Sequence, residues 1–233
     1  LFNDWGMAPG YHLVTGGKHL VVLPGVPSEL HPMFETRAMP LLPLTDRTWH
    51  RLVLRTFGLP ESQLNDRLEG VARQFQIELG YRVDTPEIWL KIEGSEPRAC
   101  AAAADEIRGR LGSVVFGGPE TTLAGAVGEA LLARGWYLGL AESCTGGLIA
   151  QSVTDVPGAS RWFRGGVVAY DNAVKQELLG VDPELFQTHG AVSREVACAM
   201  ALGARRLLKC DIAAAVTGIA GPEGGTVDKP VGT

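Results

Sequence analysis

Four cysteines in 233 residues, at positions 100, 144, 198 and 210, are too few and too scattered for a disulfide framework. None stands in a Cys-x-x-Cys pair and no cluster has metal-ligand spacing, so the thiols read as reduced groups of a cytoplasmic protein. No apolar run reaches about 18 residues, which leaves no candidate for a membrane-spanning helix, and no secretory leader opens the chain. Basic residues are not in excess: 21 Lys and Arg against 26 Asp and Glu give a net charge of −5. That balance argues against a protein whose main task is clamping nucleic-acid phosphate. Also missing are a Gly-Lys-Ser/Thr loop and a Gly-x-Gly-x-x-Gly turn, the two common nucleotide-phosphate cradles. What is present is ordinary globular material, 45% hydrophobic and 20% charged, with thirty glycines that signal tight turns or close backbone approaches. The length suits one large domain or two to three small ones. The chain opens on Leu1 rather than Met and stops at Thr233 after a Gly-rich stretch, so both ends read as cut from a longer protein.

Three stretches differ in character. In residues 1–46, a Gly/Pro-punctuated loop (Asn3 to Gly10) precedes the apolar run Lys18 to Pro24, which reads as a buried strand. A short helix follows through Leu30, Met33 and Phe34, with Ser28 as its N-cap. The stretch is too short to fold alone and looks like the last strand and helix of a larger α/β domain. Pro40 to Asp46 reads as a linker. Residues 47–118 read as a small α+β module. Its strands are His50–Phe57, Glu87–Glu93 and Val114–Phe116; its helices are Pro60–Gln76 and Pro97–Leu111. Residues 119–233 alternate helices (123–134, 148–153, 171–179, 193–209) with apolar strands (136–141, 165–170, 212–216). Val127, Leu131, Leu132, Val196, Met200 and Leu207 are the expected inward residues of the first and last of those helices. Such alternation predicts a mostly parallel sheet covered on both faces, a three-layer α/β/α fold.

In open α/β sheets ligands bind beyond the carboxyl ends of the strands, and three such ends here carry polar turns. Glu142-Ser-Cys-Thr-Gly-Gly147 delivers a hydroxyl to a strand end, followed by a helix start whose free N–H groups suit an anion or oxyanion. Ser143 or Thr145 can equally serve as plain helix caps there. Tyr170-Asp-Asn-Ala-Val-Lys175 puts a lysine one turn into a helix, where the dipole lowers its pKa toward that of a general base. A solvated Lys175 and a packing Tyr170 are the bland alternatives. Thr217 to Thr226 holds four glycines in ten residues, which permits close approach to a ligand phosphate or makes a flexible surface loop. No Ser-His-Asp triad is evident. His189 reads as a loop or capping residue, and Cys144, with no histidine to pair with, reads as a structural thiol.

Taken in order, Ala141-Glu-Ser-Cys-Thr-Gly-Gly147, Thr154-Asp-Val-Pro-Gly158, Gly165-Gly-Val-Val-Ala-Tyr170, Gly190-Ala-Val-Ser193, Thr217-Gly-Ile-Ala-Gly-Pro222 and Lys229-Pro-Val-Gly-Thr233 closely resemble the CinA C-terminal domain, the nicotinamide mononucleotide (NMN) deamidase family. Upstream, Asn3 to Gly10 and Leu23 to Glu29 resemble the end of the CinA N-terminal domain, which is similar to molybdopterin-binding proteins. The middle stretch sits where that family carries a KH-like module, although it shows no Gly-x-x-Gly clamp, which together with the acidic balance argues against RNA.

The resemblance implies a Ser/Lys amidohydrolase converting NMN to nicotinate mononucleotide and ammonia. Ser143 matches the nucleophile and Lys175 the base, with Tyr170 as a site partner. Thr145, Gly146, Gly147, Thr217, Gly218, Gly221 and Gly225 are the expected substrate-binding positions. No cofactor is implied for this domain; a divalent metal goes with the N-terminal domain, which the family associates with ADP-ribose pyrophosphatase activity. The implied partners are a small nucleotide, NMN or ADP-ribose, and a second copy of the chain in a homodimer. Two alternatives stay open: a pyrophosphatase acting through the N-terminal domain, or a non-catalytic interaction protein linked to competence and DNA damage. The family domain also continues past Thr233 with a further strand, helix and site arginine, so this chain alone is expected to hold an incomplete site.

Overall fold

The computed structural model describes residues 1–43 and 48–233, and its strands fall into three sheets that follow one another along the chain. The first is a hairpin of β1 (Tyr11–Thr15) and β2 (Lys18–Val22), antiparallel, followed by helix α1 (Pro27–Met33). The run from Lys18 is therefore a strand, but not a buried one. With one partner strand and little packed on its faces, it leaves Leu20 and Val22 about half exposed. Ser28 does not cap α1: Val26 occupies the N-cap and Pro27 the first helical position, where its missing N–H costs nothing. The second half of the Pro40–Asp46 linker falls largely within residues 44–47, outside the described residues.

The second sheet contains β3 (His50–Phe57), β4 (Glu78–Asp84), β5 (Glu87–Gly94) and β6 (Val115–Gly117) in the order β4-β5-β3-β6, antiparallel throughout. Helices α2 (Glu61–Arg67), α3 (Val71–Phe75) and α4 (Pro97–Leu111) cover one face only. Strand alternation sends Leu54, Leu90 and Ile92 into that core against Leu64, Val71 and Ile107. The expected single helix over 60–76 is two helices, because Gly70 adopts φ +83°, a left-handed turn that ends one axis and starts the next. Strand β4 has no counterpart among the expected elements. Its apolar residues Leu79, Tyr81 and Val83 do alternate, but Gly80 and three charged residues dilute the signal.

The third region opens with α5 (Leu123–Leu132), capped by the Thr122 hydroxyl on the Gly125 amide. Then come β7 (Leu138–Glu142), α6 (Leu148–Thr154), β8 (Phe163–Val168), α7 (Asn172–Leu179), α8 (Pro183–His189), α9 (Arg194–Leu208) and β9 (Ile212–Val216). The strands are parallel in the order β8-β7-β9. One apolar layer (Leu131, Leu138, Leu140, Val153, Trp162) joins the sheet to α5 and α6; another (Ala141, Leu179, Val196, Met200, Ala204) joins it to α7 and α9. This is the expected α/β/α arrangement. All five residues of the central strand β7 are buried.

Some details shift. Val127 and Leu207, expected inward, face outward, since the buried stripe runs through Leu131 on α5 and through Val196, Met200 and Ala204 on α9. The strand expected from Trp136 begins at Leu138, leaving Trp136 on the surface. Helix α8, absent from the expected elements, is capped by Asp182 and makes His189 its last residue. Asp171 and Ser193 cap α7 and α9 as the sequence predicts.

Candidate active site

The parallel register brings the carboxyl ends of β7, β8 and β9 side by side, so the chain segments that leave them share one edge of the sheet. A cavity of about 190 Å³ opens there. Its walls are Ser143 and Cys144 after β7, Tyr170, Asn172 and Lys175 after β8, and Thr217, Gly218 and Ala220 after β9. Ala191 and Val192, from the turn between α8 and α9, close the remaining side.

Lys175 is the unusual group. Only 2% of it is exposed, and among the described residues no carboxylate forms a salt bridge with it. Its Nζ donates to the Tyr170 carbonyl at 2.9 Å and to Asn172 Oδ1 at 3.3 Å. Burial pushes its pKa below that of an ordinary lysine; Asp171 and Cys144 push it back up only in part. The count of hydrogen-bonding positions agrees with a neutral amine. Two acceptors meet the nitrogen, one fewer than the three donors of an ammonium. Desolvation, rather than the helix dipole invoked from sequence, is the leading cause.

Ser143, 6% exposed, lines the same cavity. Its hydroxyl makes no hydrogen bond to another described residue, Lys175 included, and it does not cap α6. That role belongs to Glu142, the last residue of β7 and 1% exposed. Glu142 Oε2 accepts from the Ile149 amide at 3.0 Å and Oε1 from the Ala150 amide at 2.8 Å. Burial alone would push this carboxyl up. The Ile149 and Ala150 hydrogen bonds, with the Thr145 hydroxyl and the Gly147 amide close by, outweigh it and hold the pKa below that of a free glutamate. The Thr145 hydroxyl is buried beside that carboxylate without a well-aligned hydrogen bond. The free α6 amides expected from sequence are thus already occupied.

The expected site residues divide. Ser143, Lys175, Tyr170, Thr217 and Gly218 come together at the cavity. Tyr170 contributes its backbone carbonyl to Lys175, while its ring stands at the mouth, 69% exposed. Thr217 donates its hydroxyl to the Ala191 carbonyl at 2.9 Å, tying the β9 loop to the opposite wall. Gly218 is needed for close packing: a Cβ there would lie 2.5 Å from the Thr233 carbonyl and 2.9 Å from Cys144 Sγ. Thr145, Gly146 and Gly147 do not line the cavity. They form the turn that leads from Ser143 into α6. Gly221 and Gly225 pack against Val231 instead. Cys144, read from sequence as a structural thiol, is half-buried on the cavity wall. Asn172 is the residue that sequence reading missed. Its signal was the spacing: a side-chain acceptor three residues before a lysine on one helix reaches the same face.

His189 ends α8 away from Ser143's wall. Its carbonyl and that of Val192 accept from Lys229 Nζ, at 2.9 and 2.7 Å. Among the described residues no three His, Cys, Asp or Glu side chains converge as a metal-ligand set, and no helix is long and apolar enough to cross a membrane.

Comparison with known proteins gives family matches along most of the chain. The family model described as CinA C-terminal domain matches residues 120–233, and that described as damage-inducible protein CinA KH domain matches residues 51–117. The CinA-like protein of Geotalea uraniireducens is 43% identical over 99% of this chain and 57% of its own length. That of Geobacter sulfurreducens is 44% identical over 99% of this chain and 58% of its own length. The chain therefore spans a little over half the length of the curated relatives it matches. Among solved structures, the competence/damage inducible protein CihA from Agrobacterium tumefaciens is 46% identical, with a TM-score of 0.45, covering 47% of this chain and 67% of that one.

Proposed function

The chain belongs to the CinA family, and from that premise we propose that its C-terminal region is an amidohydrolase acting on nicotinamide mononucleotide through Ser143 and Lys175. The observation that carries this reading is the buried Lys175 amine, without a carboxylate salt bridge among the described residues, on the wall of the cavity that Ser143 also lines. A structural lysine would be paired or solvated, whereas burial that disfavours the charged form favours the amine as a base.

The chemistry then runs in two halves. Lys175 Nζ takes the Ser143 hydroxyl proton as Oγ attacks the carboxamide carbon, and backbone amides receive the oxyanion. Collapse breaks the C–N bond, and the proton returns from Lys175 to the departing ammonia. Water, deprotonated in turn by Lys175, attacks the acyl-enzyme, releasing nicotinate mononucleotide and restoring Ser143. The cavity, about 190 Å³, is below the usual span of roughly 300–1,000 Å³ for ligand pockets. It suits the carboxamide-bearing ring, with ribose and phosphate lying across the mouth near Tyr170.

The test is ammonia release from NMN by the full-length protein and its Ser143→Ala variant. Turnover that falls by on the order of 10⁴ or more in the variant supports the assignment. Full activity without the hydroxyl would refute Ser143 as nucleophile; no ammonia from the parent would refute the substrate.

A further inference from the structure

Glu142 stands one residue before the proposed nucleophile, buried and with no Lys, Arg or His salt-bridge partner among the described residues. A carboxylate is expensive to bury unless its oxygens are satisfied. Here backbone amides do the satisfying, one from Ile149 and one from Ala150, with the Gly147 amide and the Thr145 hydroxyl alongside. Those contacts join both ends of the five-residue segment Ser143–Gly147. Its strand end and its helix end are held by one side chain. Inside the segment, the Gly146 amide donates to the Ser143 carbonyl at 3.0 Å, closing a tight turn whose central residues are Cys144 and Thr145. Among the described residues, the amides of those two central residues meet no protein acceptor.

Resting on the Ser143/Lys175 reading, we infer that Glu142 is a positioning residue: it engages the first amides of α6, fixes the turn that presents Ser143, and leaves the amide of Cys144, on the cavity wall, as an oxyanion donor. A helix start left open would draw the oxyanion or a water toward α6. Closing it with a built-in carboxylate directs the developing charge to the Cys144 amide beside Ser143. Because donors must lie where charge develops, a small displacement of the turn removes their effect on the transition state while leaving ground-state binding largely intact.

The experiment uses the full-length protein carrying Glu142→Gln. The amide keeps the size but turns an NH₂ toward an amide that is itself a donor, so one of the two clamping bonds is lost. For a variant folded by circular dichroism, kcat for NMN is expected to drop about thirtyfold or more with KM within about threefold. Hydrogen exchange at Ile149 and Ala150 should quicken about tenfold or more. Glu142→Asp, which keeps the charge with a shorter reach, should recover part of kcat. A kcat near the parent's in a folded variant, or unchanged exchange, overturns the inference. If Glu142→Gln does not fold, Glu142→Asp decides: kcat down about tenfold at constant KM is expected, and a parent-like kcat refutes. If the parent releases no ammonia from NMN, the substrate reading has failed instead. Labelling of Ser143 by an organic fluorophosphonate then judges the clamp, with slower labelling in Glu142→Gln expected and equal or absent labelling in both refuting it.

Discussion

The middle and C-terminal regions each bury charge, and they treat it in opposite ways. In the middle region Glu87 is almost fully buried, and it is matched at once: Arg55 Nη2 lies 2.6 Å from its Oε2 and Arg55 Nε donates at 2.8 Å. The same guanidinium sits over the rings of Trp89 and Phe116 and donates to the Thr121 carbonyl at 2.5 Å. Each charge is met by the other, so neither stands uncompensated. In the C-terminal region Lys175 and Glu142 are just as buried, yet among the described residues neither forms a salt bridge. Their hydrogen bonds run to polar groups, and in the proposed reading each serves the chemistry, one as a base and the other by ordering a turn. Removing one partner of a cancelled pair destabilises, whereas an uncancelled buried charge marks a candidate functional site.

The sharpest way to break that contrast is to remove the amine. Lys175→Met keeps the length and burial but has no base, and NMN turnover by the full-length protein should fall about 10²–10⁴-fold while the fold remains. The pH profile of the parent sharpens the point. The active form is the neutral amine, so activity should rise with pH through a pKa lying below the ordinary lysine value, in the direction that burial sets. The acid limb of kcat/KM against pH reads this directly. An acid limb running up to the ordinary lysine range would show that Lys175 is a charged structural residue.

How much of this was legible in the sequence follows from which forces act locally. Caps are local: Asp171 and Ser193 announced α7 and α9, and the structure has both. The apolar strands of the parallel sheet were legible because, buried on two faces, they read as continuous runs. Strand β4 was not, because it borrows its place from β5, with which it pairs along its whole length. Nor was the break at Gly70, which competes with a helical apolar pattern that continues across it. At the site, Ser143 and Lys175 were visible as polar residues just beyond strand ends. The role of Glu142 was not, since a glutamate at a strand end looks solvated until the helix it faces is folded against it. Tyr170 was expected at the site by position; that its carbonyl meets Lys175 was not legible, because sequence reports side chains and this contact is made by backbone.

The matched pair of the middle region supplies the converse prediction. Glu87→Gln leaves Arg55 buried beside a neutral amide, and removing one partner of a buried pair costs about 3–5 kcal/mol. Chemical denaturation should show that loss. Turnover of NMN at a temperature where the variant is folded should stay within about twofold, because nothing in that pair touches the cavity. A loss of kcat at full folding would mean that the middle region reaches the reaction centre, and the contrast between the two treatments of charge would fail.

The smallest expected effect comes from charge that is neither buried nor reserved. Arg110 on α4 meets Glu106 one turn earlier, Nε to Oε1 at 2.7 Å, with both side chains about a third exposed. Water and salt screen such a pair, which is worth about 0.3–0.5 kcal/mol on a helix. Arg110 does more than pair, however: its Nη1 also donates to the Glu69 carbonyl at 3.0 Å, next to the Gly70 break between α2 and α3. Glu106→Gln should therefore cost no more than the pair itself, and 0.5 M salt should erase the difference from the parent. Arg110→Ala should cost more, and salt should not erase it, since the carbonyl loses its donor and the stem its packing. Equal, salt-sensitive losses in the two variants would reduce Arg110 to its surface ion pair and leave the Gly70 turn to be held by the Leu68 and Val71 side chains in the core beneath it.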